Sequence, residues 1–259
     1  MPFTAGTTLH FLRIPPAMSL LDMLALEEAL LRADARHWCL LARGAPAPAP
    51  PTLVLGMAGK VDALVHAEAA RGAGAVALRR FTGGGTVVVD GGTSLVSFVV
   101  GRGAAAGGPQ FPRDIMAWSG ALYAPVFAAL LPPPAPPFSL VEHDYCLGDR
   151  KFGGNAQAVS RDRWVHHTSF LWRATPAHLA LLKLPEKRPA YRRSRAHGDF
   201  LTTLEEHAPA GAGVADFEAA LLRRLRAVEG LALVEASLAE AREALPRNER
   251  RSNEVVPLA

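Results

Sequence analysis

Arg79-Arg80-Phe81-Thr82-Gly83-Gly84-Gly85-Thr86-Val87-Val88-Val89-Asp90 sets three consecutive glycines between β-prone runs. Glycine loses more backbone freedom on folding than any other residue, so a sheet accepts such a run only for a reason. One reason is close approach of a ligand to the backbone, with N–H groups offered to an anion or carbonyl. Arg79 and Arg80 would then supply charge to a phosphate. The plain alternative is a glycine-rich β-turn with two solvated arginines, and these residues alone leave both open. A P-loop is excluded, because no G-K-S/T ends the run and no helix follows it.

Working outward, Ala75 to Leu78 leads into the glycines as a strand and Ser94 to Val100 follows as a strongly β-prone run. Upstream, Thr8 to Ile14 has strand composition and Leu20 to Ala33 reads as a helix. Ser19 with Asp22 caps that helix, and Leu20, Met23, Leu24, Glu27, Leu30 and Leu31 map a mostly apolar face. Trp38 to Ala42 and Thr52 to Gly56 look like buried strands, and Lys60 to Arg71 alternates at helical spacing. Downstream, Asp114 to Leu130 is a helix with Ile115, Trp118, Leu122 and Phe127 on its apolar side.

A β-meander follows: Asp144 to Leu147, the turn Gly148-Asp149-Arg150, Lys151 to Val159, the turn Ser160-Arg161-Asp162-Arg163, then Trp164 to Trp172. A helix near Pro176 to Leu184, a basic segment and a charged helix from about Val214 to Glu229 complete the pattern. The tail beyond Arg247 is expected to be disordered. Strands in series with interspersed helices and no steady βαβ rhythm predict α+β, a mixed, mainly antiparallel sheet flanked by helices. The Ala/Pro/Gly stretches at 45–51, 101–109 and 131–137 read as loops within one domain, not as hinges.

Two further segments carry candidate chemistry. In Asp149-Arg150-Lys151-Phe152-Gly153-Gly154-Asn155-Ala156-Gln157 a lysine opens a strand at a turn with two glycines close behind. Such a lysine can reach a phosphate or carboxylate oxygen while the glycine backbone lets a ligand lie against the strand. Trp164-Val165-His166-His167-Thr168-Ser169-Phe170-Leu171-Trp172 holds adjacent histidines, which point to opposite faces of a strand, so at most one addresses a shared pocket. No carboxylate stands at ligand spacing, which speaks against a metal role for the pair.

The 259 residues are 49% hydrophobic and 20% charged, with a formal charge of +4, the composition of a globular protein with mildly basic balance. No apolar run reaches the ~18 residues of a membrane span. Cys39 and Cys146 form neither a metal-ligand spacing nor a disulfide framework, which points to a reducing compartment. No secretory or transit segment is visible, so the cytoplasm is expected, or a mitochondrion by a signal the sequence does not display.

In this order and at these separations the three segments resemble the lipoate–protein ligase A family. Its R-R-x-x-G-G-G-x-V-x-H-D pattern appears as Arg79 to Asp90, its N-D as His143-Asp144, its K-x-x-G-x-A as Lys151 to Ala156, and its H-G-T/S-x-L as His167 to Leu171. The helix bearing Leu26-Glu27-Glu28 is similar to the family's opening. The resemblance covers roughly residues 8 to 205, leaving a C-terminal helical extension of about 206–246 and the tail at 247–259.

The resemblance implies the catalytic domain shared by biotin ligases, lipoate ligases and octanoyltransferases, a class II synthetase-related fold. It implies that lipoate is joined to ATP with Mg²⁺ and passed to a lysine of a lipoyl carrier domain, as in 2-oxoacid dehydrogenase complexes or the glycine cleavage H protein. By family role Arg80 and Gly83-Gly84-Gly85, with Thr86, Val87 and Asp90, line the acyl and phosphate site. Lys151 contacts the acyl carbonyl and adenylate phosphate. Asp144 and Gly154-Asn155-Ala156 hold the nucleotide, and His167 faces the pocket. No protein-bound metal, nucleic acid or membrane partner is implied.

Departures are Val89 where the family often has histidine, Thr168 in place of the H-G glycine, and no match to the extra C-terminal domain of long ligases, which implies an accessory chain or the transfer step alone. Three rivals remain. Octanoyl transfer without ATP would need Cys146 as nucleophile, whereas a buried structural cysteine is the alternative reading of that residue. Biotin ligation lacks its G-R-G-R-x-G-R loop. A non-catalytic lipoyl-domain binder is the third. The basic stretch Lys187, Arg188, Arg192, Arg193 and Arg195 around Tyr191 is expected to border the pocket and meet an acidic carrier.

Overall fold

The computed structural model describes residues 2–185, 189–248 and 251–258. In chain order the elements are β1 (Thr7–Arg13), α1 (Leu20–Ala33), β2 (His37–Arg43), β3 (Thr52–Leu55), α2 (Val61–Leu64), α3 (Ala67–Gly72), β4 (Val76–Arg79), β5 (Val87–Val89) and β6 (Thr93–Gly101). Then follow α4 (Pro112–Leu130), β7 (Phe138–Val141), β8 (Asp144–Leu147), β9 (Arg150–Val159), β10 (Arg163–Leu171), α5 (Pro176–Leu179), α6 (His197–Phe200), α7 (Val214–Arg226), β11 (Leu231–Glu235), α8 (Leu238–Arg242) and β12 (Glu254–Val256).

The strands form an eight-stranded sheet, β11-β1-β2-β6-β10-β9-β8-β7, and a four-stranded sheet, β12-β4-β3-β5. Pairing in the large sheet is antiparallel except β11 with β1 and β1 with β2. In the small sheet only β3 with β4 is parallel. The expected mixed, mainly antiparallel α+β architecture is the observed one.

Period-two alternation sorts the large sheet's side chains onto two faces. One face carries Phe98, Tyr145, Phe152 and Phe170 against α4 and α7. The other carries Leu40, Ala42, Leu95, Val99 and Val165, packed with α1 and with Val54, Leu78 and Val89 of the small sheet. A third core, including Leu53, Leu55, Val65 and Leu182, lies on the small sheet's remaining face. The second layer, between the sheets, is where the functional cleft opens.

α1 starts where its cap predicts: the Asp22 backbone N–H donates to Ser19 Oγ at 3.1 Å. The helix expected from Lys60 to Arg71 is instead two short ones, and the helix expected from Pro176 to Leu184 is the single turn α5. One contact explains both, because Val65 and Leu182 form an isolated β-bridge and His66 N donates to Leu181 O at 2.9 Å. Helical hydrogen bonding cannot continue through residues whose backbone groups pair across the chain.

The C-terminal third also differs from expectation. The 206–246 stretch is not purely helical: β11 pairs with β1, Thr7 opposite Leu231, and extends the large sheet. The tail expected to be disordered includes β12, which pairs antiparallel with β4, and Val256 is buried. Glu28, fully buried in α1, anchors it by accepting from Ser252 N at 2.9 Å and Asn253 Nδ2 at 3.0 Å. Among the described residues no helix is long and apolar enough to cross a membrane.

Candidate functional site

The site is organised by an irregularity in β9. Tyr145 pairs with Gly153, but the next residue of β8, Cys146, pairs with Lys151, so Phe152 is an extra residue on β9. Such a bulge inverts the side-chain phase of a strand. Phe152 goes into the aromatic core, while Lys151 falls on the same face as Gly154 and Ala156. The neighbouring strand continues that face through His167 and Ser169, opposite Ala156 and Gly154.

Lys151 Nζ lies 2.7 Å from Asp144 Oδ1, and the Tyr191 hydroxyl donates to Asp144 Oδ2 at 2.8 Å. The two glycines have different reasons. A Cβ on Gly153 would lie 2.6 Å from the Phe170 ring, whereas one on Gly154 would lie 3.3 Å from Lys151 Nζ. Gly153 therefore admits a core ring, and Gly154 leaves room for the amine.

The triple glycine faces this strand across the cleft. Gly83 and Gly85 have no atom within 4 Å of a would-be Cβ, which leaves the loop open to a ligand. Gly84 adopts φ +100, a conformation that favours glycine. Arg80 beneath the loop is buried and spends its donors internally: Nε on Thr82 Oγ1 at 2.9 Å, Nη1 on Val54 O at 3.1 Å, Nη2 on Gly83 O at 2.9 Å and Gly85 O at 2.8 Å. Burial lowers its pKa to about 10, opposed by the charge of Glu27.

Glu27 is itself fully buried on α1. It accepts from the Ser97 hydroxyl and, at 2.9 Å, pairs with Nδ1 of His167. His167 Nε2 reaches Thr82 Oγ1 at 3.5 Å. A polar chain thus runs from α1 through His167 to the arginine that shapes the glycine loop.

Two cavities meet along this face. One is a cleft of about 440 Å³, counting space open to solvent, and is mainly apolar, with Met23, Leu24, Val54, Val87, Val89 and Leu95 beside Arg80, Ser97, Ala156 and His167. The other, about 580 Å³, is lined by Thr86, Lys151, Arg192, His197, Phe200 and Leu201 among others. They share Val87, Gly154 and Ser169. The described lining of the second cavity includes two cations, Lys151 and Arg192, and no acid. The hydroxyl of Thr86 is buried there with no partner among the described residues. Such a hydroxyl, in a cleft with two cations, can bond a polar ligand or water. The arrangement suits an apolar chain ending in an anionic group.

A sequence model of the lipoyl protein ligase A/B catalytic domain matches residues 19–226. The chain belongs to that family. Solved structures of similar fold include lipoate-protein ligase A bound with ATP, 18% identical, TM-score 0.72, with 96% of each chain covered. A Thermoplasma acidophilum bi-partite lipoate protein ligase and its E2 lipoyl domain is 20% identical, TM-score 0.68, covering 94% of this chain and 91% of that one. A T. acidophilum protein with bound lipoic acid is 18% identical, TM-score 0.71, covering 93% of both chains. The Plasmodium falciparum protein inactive lipoate–protein ligase 2 is 27% identical over 155 residues, 49% of this chain and 40% of that protein's length.

Set against the lipoyl ligase pattern, most expected positions converge. Arg80, Val87, Gly154, Asn155, Ala156 and His167 line the apolar cavity, and Thr86 and Lys151 the polar one, with Asp144 behind Lys151. One role is corrected. Asp90 lines neither cavity: its carboxylate accepts from Gly92 N at 3.0 Å and meets His178 Nδ1 at 2.7 Å, so it builds the β5–β6 turn. Arg80 lines the apolar cavity as expected and in addition supports the glycine loop from beneath, through bonds to Thr82, Val54 and the loop carbonyls. The side chain of Asn155 is also committed, donating to His143 O at 2.7 Å.

The departures prove mild. Thr168 points to the core face, where its hydroxyl donates to Val96 O at 3.1 Å and meets Tyr123 OH at 3.0 Å. Val89 makes the wall of the apolar cavity greasier. His166 is core, with Nε2 2.8 Å from Tyr145 OH, and burial, reinforced by the charge of His167, holds its pKa down to about 3. Cys146 is buried and its pKa is raised by that burial. Since the Tyr191 proton goes to Asp144, the Cys146 thiol donates to the Tyr191 oxygen, 3.4 Å away.

The basic stretch is divided. Lys187 and Arg188 lie outside the described residues. Arg192 turns inward, buried against Phe200 with its guanidinium 4.7 Å from the ring centre. Arg195 is held by Asp149 at 3.0 Å, and Arg193 alone of the described arginines there is exposed. Arg192, one of the basic stretch expected to border the pocket, does so, whereas Glu27 and His197 were not among the expected site residues. An acid on the apolar face of α1 was a usable signal for Glu27; nothing local marks His197.

Proposed function

We propose that this chain activates lipoate or a medium-chain acyl relative with ATP and transfers the acyl group to a lysine of a lipoyl carrier domain. The observation that carries the reading is Lys151, brought by the β9 bulge to the point where an apolar cleft meets a cationic one. Structures of similar fold with ATP, with lipoic acid and with an E2 lipoyl domain support it. Carrier domains of 2-oxoacid dehydrogenase complexes or the glycine cleavage H protein are the proposed acceptors.

In the first step a carboxylate oxygen attacks the α-phosphorus of ATP and pyrophosphate leaves. In the second the carrier amine attacks the acyl carbonyl and AMP leaves, its phosphate taking the electron pair. The apolar cavity seats the chain and directs its carboxylate toward Lys151. Asp144 and Tyr191 orient the ammonium, which stands where oxyanion charge develops in either step, and fixed donors at that point act without reorganisation. Arg192, Thr86 and the open glycine loop would receive the phosphates. Mg²⁺ would neutralise phosphate charge, held mainly by the nucleotide as is usual for that ion, with Asp144 the carboxylate at that end of the site.

A thioester route through Cys146 has no geometric support, since the thiol is buried and protonated. The similarity to an inactive relative makes catalysis the point to test. Lipoate-dependent exchange of pyrophosphate into ATP is expected from the wild-type chain, while a carrier binder or an ATP-independent transferase gives none. Lys151→Ala should reduce transfer to a lipoyl domain by at least about a hundredfold, the scale set by loss of one charge-stabilising donor. Wild-type transfer by that variant would refute the assignment.

A further inference from the structure

Beyond the acyl cleft lies a larger chamber, open to solvent on one side and about 1230 Å³ with that open space included, between the start of α1, the end of β2 and the small sheet. Its lining includes Ile14, Met18, Leu21, Ala42, Leu78 and Val255. Leu20, Met23, Val89 and Leu95 line both this chamber and the acyl cleft, so no more than one layer of side chains stands between them. Among the described lining residues the only formally charged one is Arg43, whose Nε is bound to Glu218 at 2.6 Å. An occupant without charge fits such a space.

The join falls at a small residue. Ala42 sits directly opposite Leu95 in the β2–β6 register, and Ala42 lines the chamber while Leu95 lines both spaces. A large side chain at 42 would crowd the join between the two spaces, whereas alanine adds little bulk there. Met23, buried and unbranched, forms part of the same partition, and methionine changes rotamer at low cost.

We propose that the acyl cleft continues into this chamber, and that the substrate class of this chain extends to straight-chain fatty acids longer than eight carbons. This rests on the acyl-site reading above. The carboxylate would remain at Lys151 while the distal methylenes pass Met23 and Leu95 and fill the space beyond. Each buried methylene contributes roughly fourfold in affinity, from about 0.8 kcal/mol of apolar transfer.

The test is binding of octanoate, dodecanoate and hexadecanoate to the full-length chain, below micellar concentrations, with stoichiometry and competition against lipoate. The expected result is one acid per chain, displaced by lipoate, with dodecanoate up to about 250-fold tighter than octanoate at roughly fourfold per methylene. Ala42→Trp should lower the dodecanoate-to-octanoate ratio toward one. The wild-type series alone decides the matter should that variant fail to fold. Octanoate binding with dodecanoate equal or weaker would overturn the extension and leave the acyl site standing. Dodecanoate bound as a second molecule that lipoate does not displace would make the chamber a separate site and also overturn it. Binding of none of the acids would sink the acyl-site reading itself.

Discussion

Replacing Gly154 and Gly153 in turn by alanine separates catalytic geometry from packing within two adjacent residues. A Cβ at 154 would sit 3.3 Å from Lys151 Nζ and 3.4 Å from its Cε, and meets no other atom within 4 Å. The flexible end of the lysine yields by a few tenths of an ångström, at little cost in stability. Removing a glycine from a strand interior returns about 0.5–1 kcal/mol, so the melting temperature should stay within roughly 3 °C of wild type. Activity responds differently. A misplacement of about 1 Å costs up to ~10²-fold, so a displacement of tenths should lower kcat/KM for the carrier about three- to tenfold.

Gly153→Ala places its Cβ 2.6 Å and 3.0 Å from two ring carbons of Phe170, which is clamped by Tyr123 and Phe127 at centroid distances of 5.0 Å and 5.3 Å. Overpacking of that kind costs about 1–3 kcal/mol, or several degrees of melting temperature at roughly 3 °C per kcal/mol. Transfer per folded molecule should be nearly unchanged. Calorimetry and steady-state transfer to a lipoyl domain, run on both variants, give the comparison. The reasoning fails if Gly154→Ala is the one that melts early, or if it transfers at the wild-type rate.

Cys146→Ser should leave pyrophosphate exchange and transfer within about twofold of wild type, since the thiol is inert; an acyl-thioester on Cys146 seen by mass spectrometry would contradict this. Arg192→Gln should slow both exchange and transfer because Arg192 lines the cationic cavity, whereas Arg193→Glu should spare exchange. Equal losses of exchange from the two would contradict the division between them, and no loss from either would return the whole stretch to a surface role. Asp34 tests the electrostatics of the fold. Burial would raise its pKa, but hydrogen bonds from Arg36 and Trp38 and the Arg36 charge outweigh it and lower the value from 3.8 to about 2. A depressed carboxylate stabilises the fold above its unfolded pKa and loses that contribution as pH falls through the folded one. The Asp34→Asn penalty, about 2 kcal/mol near neutral pH, should therefore shrink between about pH 4 and pH 2 in urea titrations. A penalty independent of pH would show that the charge is not what matters.

Much of this architecture was readable without coordinates. Leu20–Ala33 is a helix because a serine cap precedes a 3.6-residue apolar period, and the meander of β8, β9 and β10 follows from alternation broken by turn residues. The triple glycine, Lys151 and His167 were identifiable as residue types that a ligand site needs. Other elements left no such trace. β7, β11 and β12 are short edge strands of three to five residues, and each exists through a partner strand rather than through its own pattern.

What the sequence by itself determined, then, is local: where helices start, which residues alternate, and where glycine and charge are concentrated. The tertiary structure alone decided which of those residues face the ligand. The phase of β9 changes at Phe152, so counting by twos from Gly154 would have put Lys151 on the core face. Asp90 reads as a ligand contact in the sequence, but its carboxylate is used on the turn with Gly92 and His178. Glu27 meets His167 across 140 residues of chain, and Arg192 reaches the cavity because Phe200 holds its guanidinium there. Whether a polar side chain is available to a substrate depends on which donors and acceptors it has already spent. That is settled by contacts between distant segments, which a one-dimensional pattern does not contain.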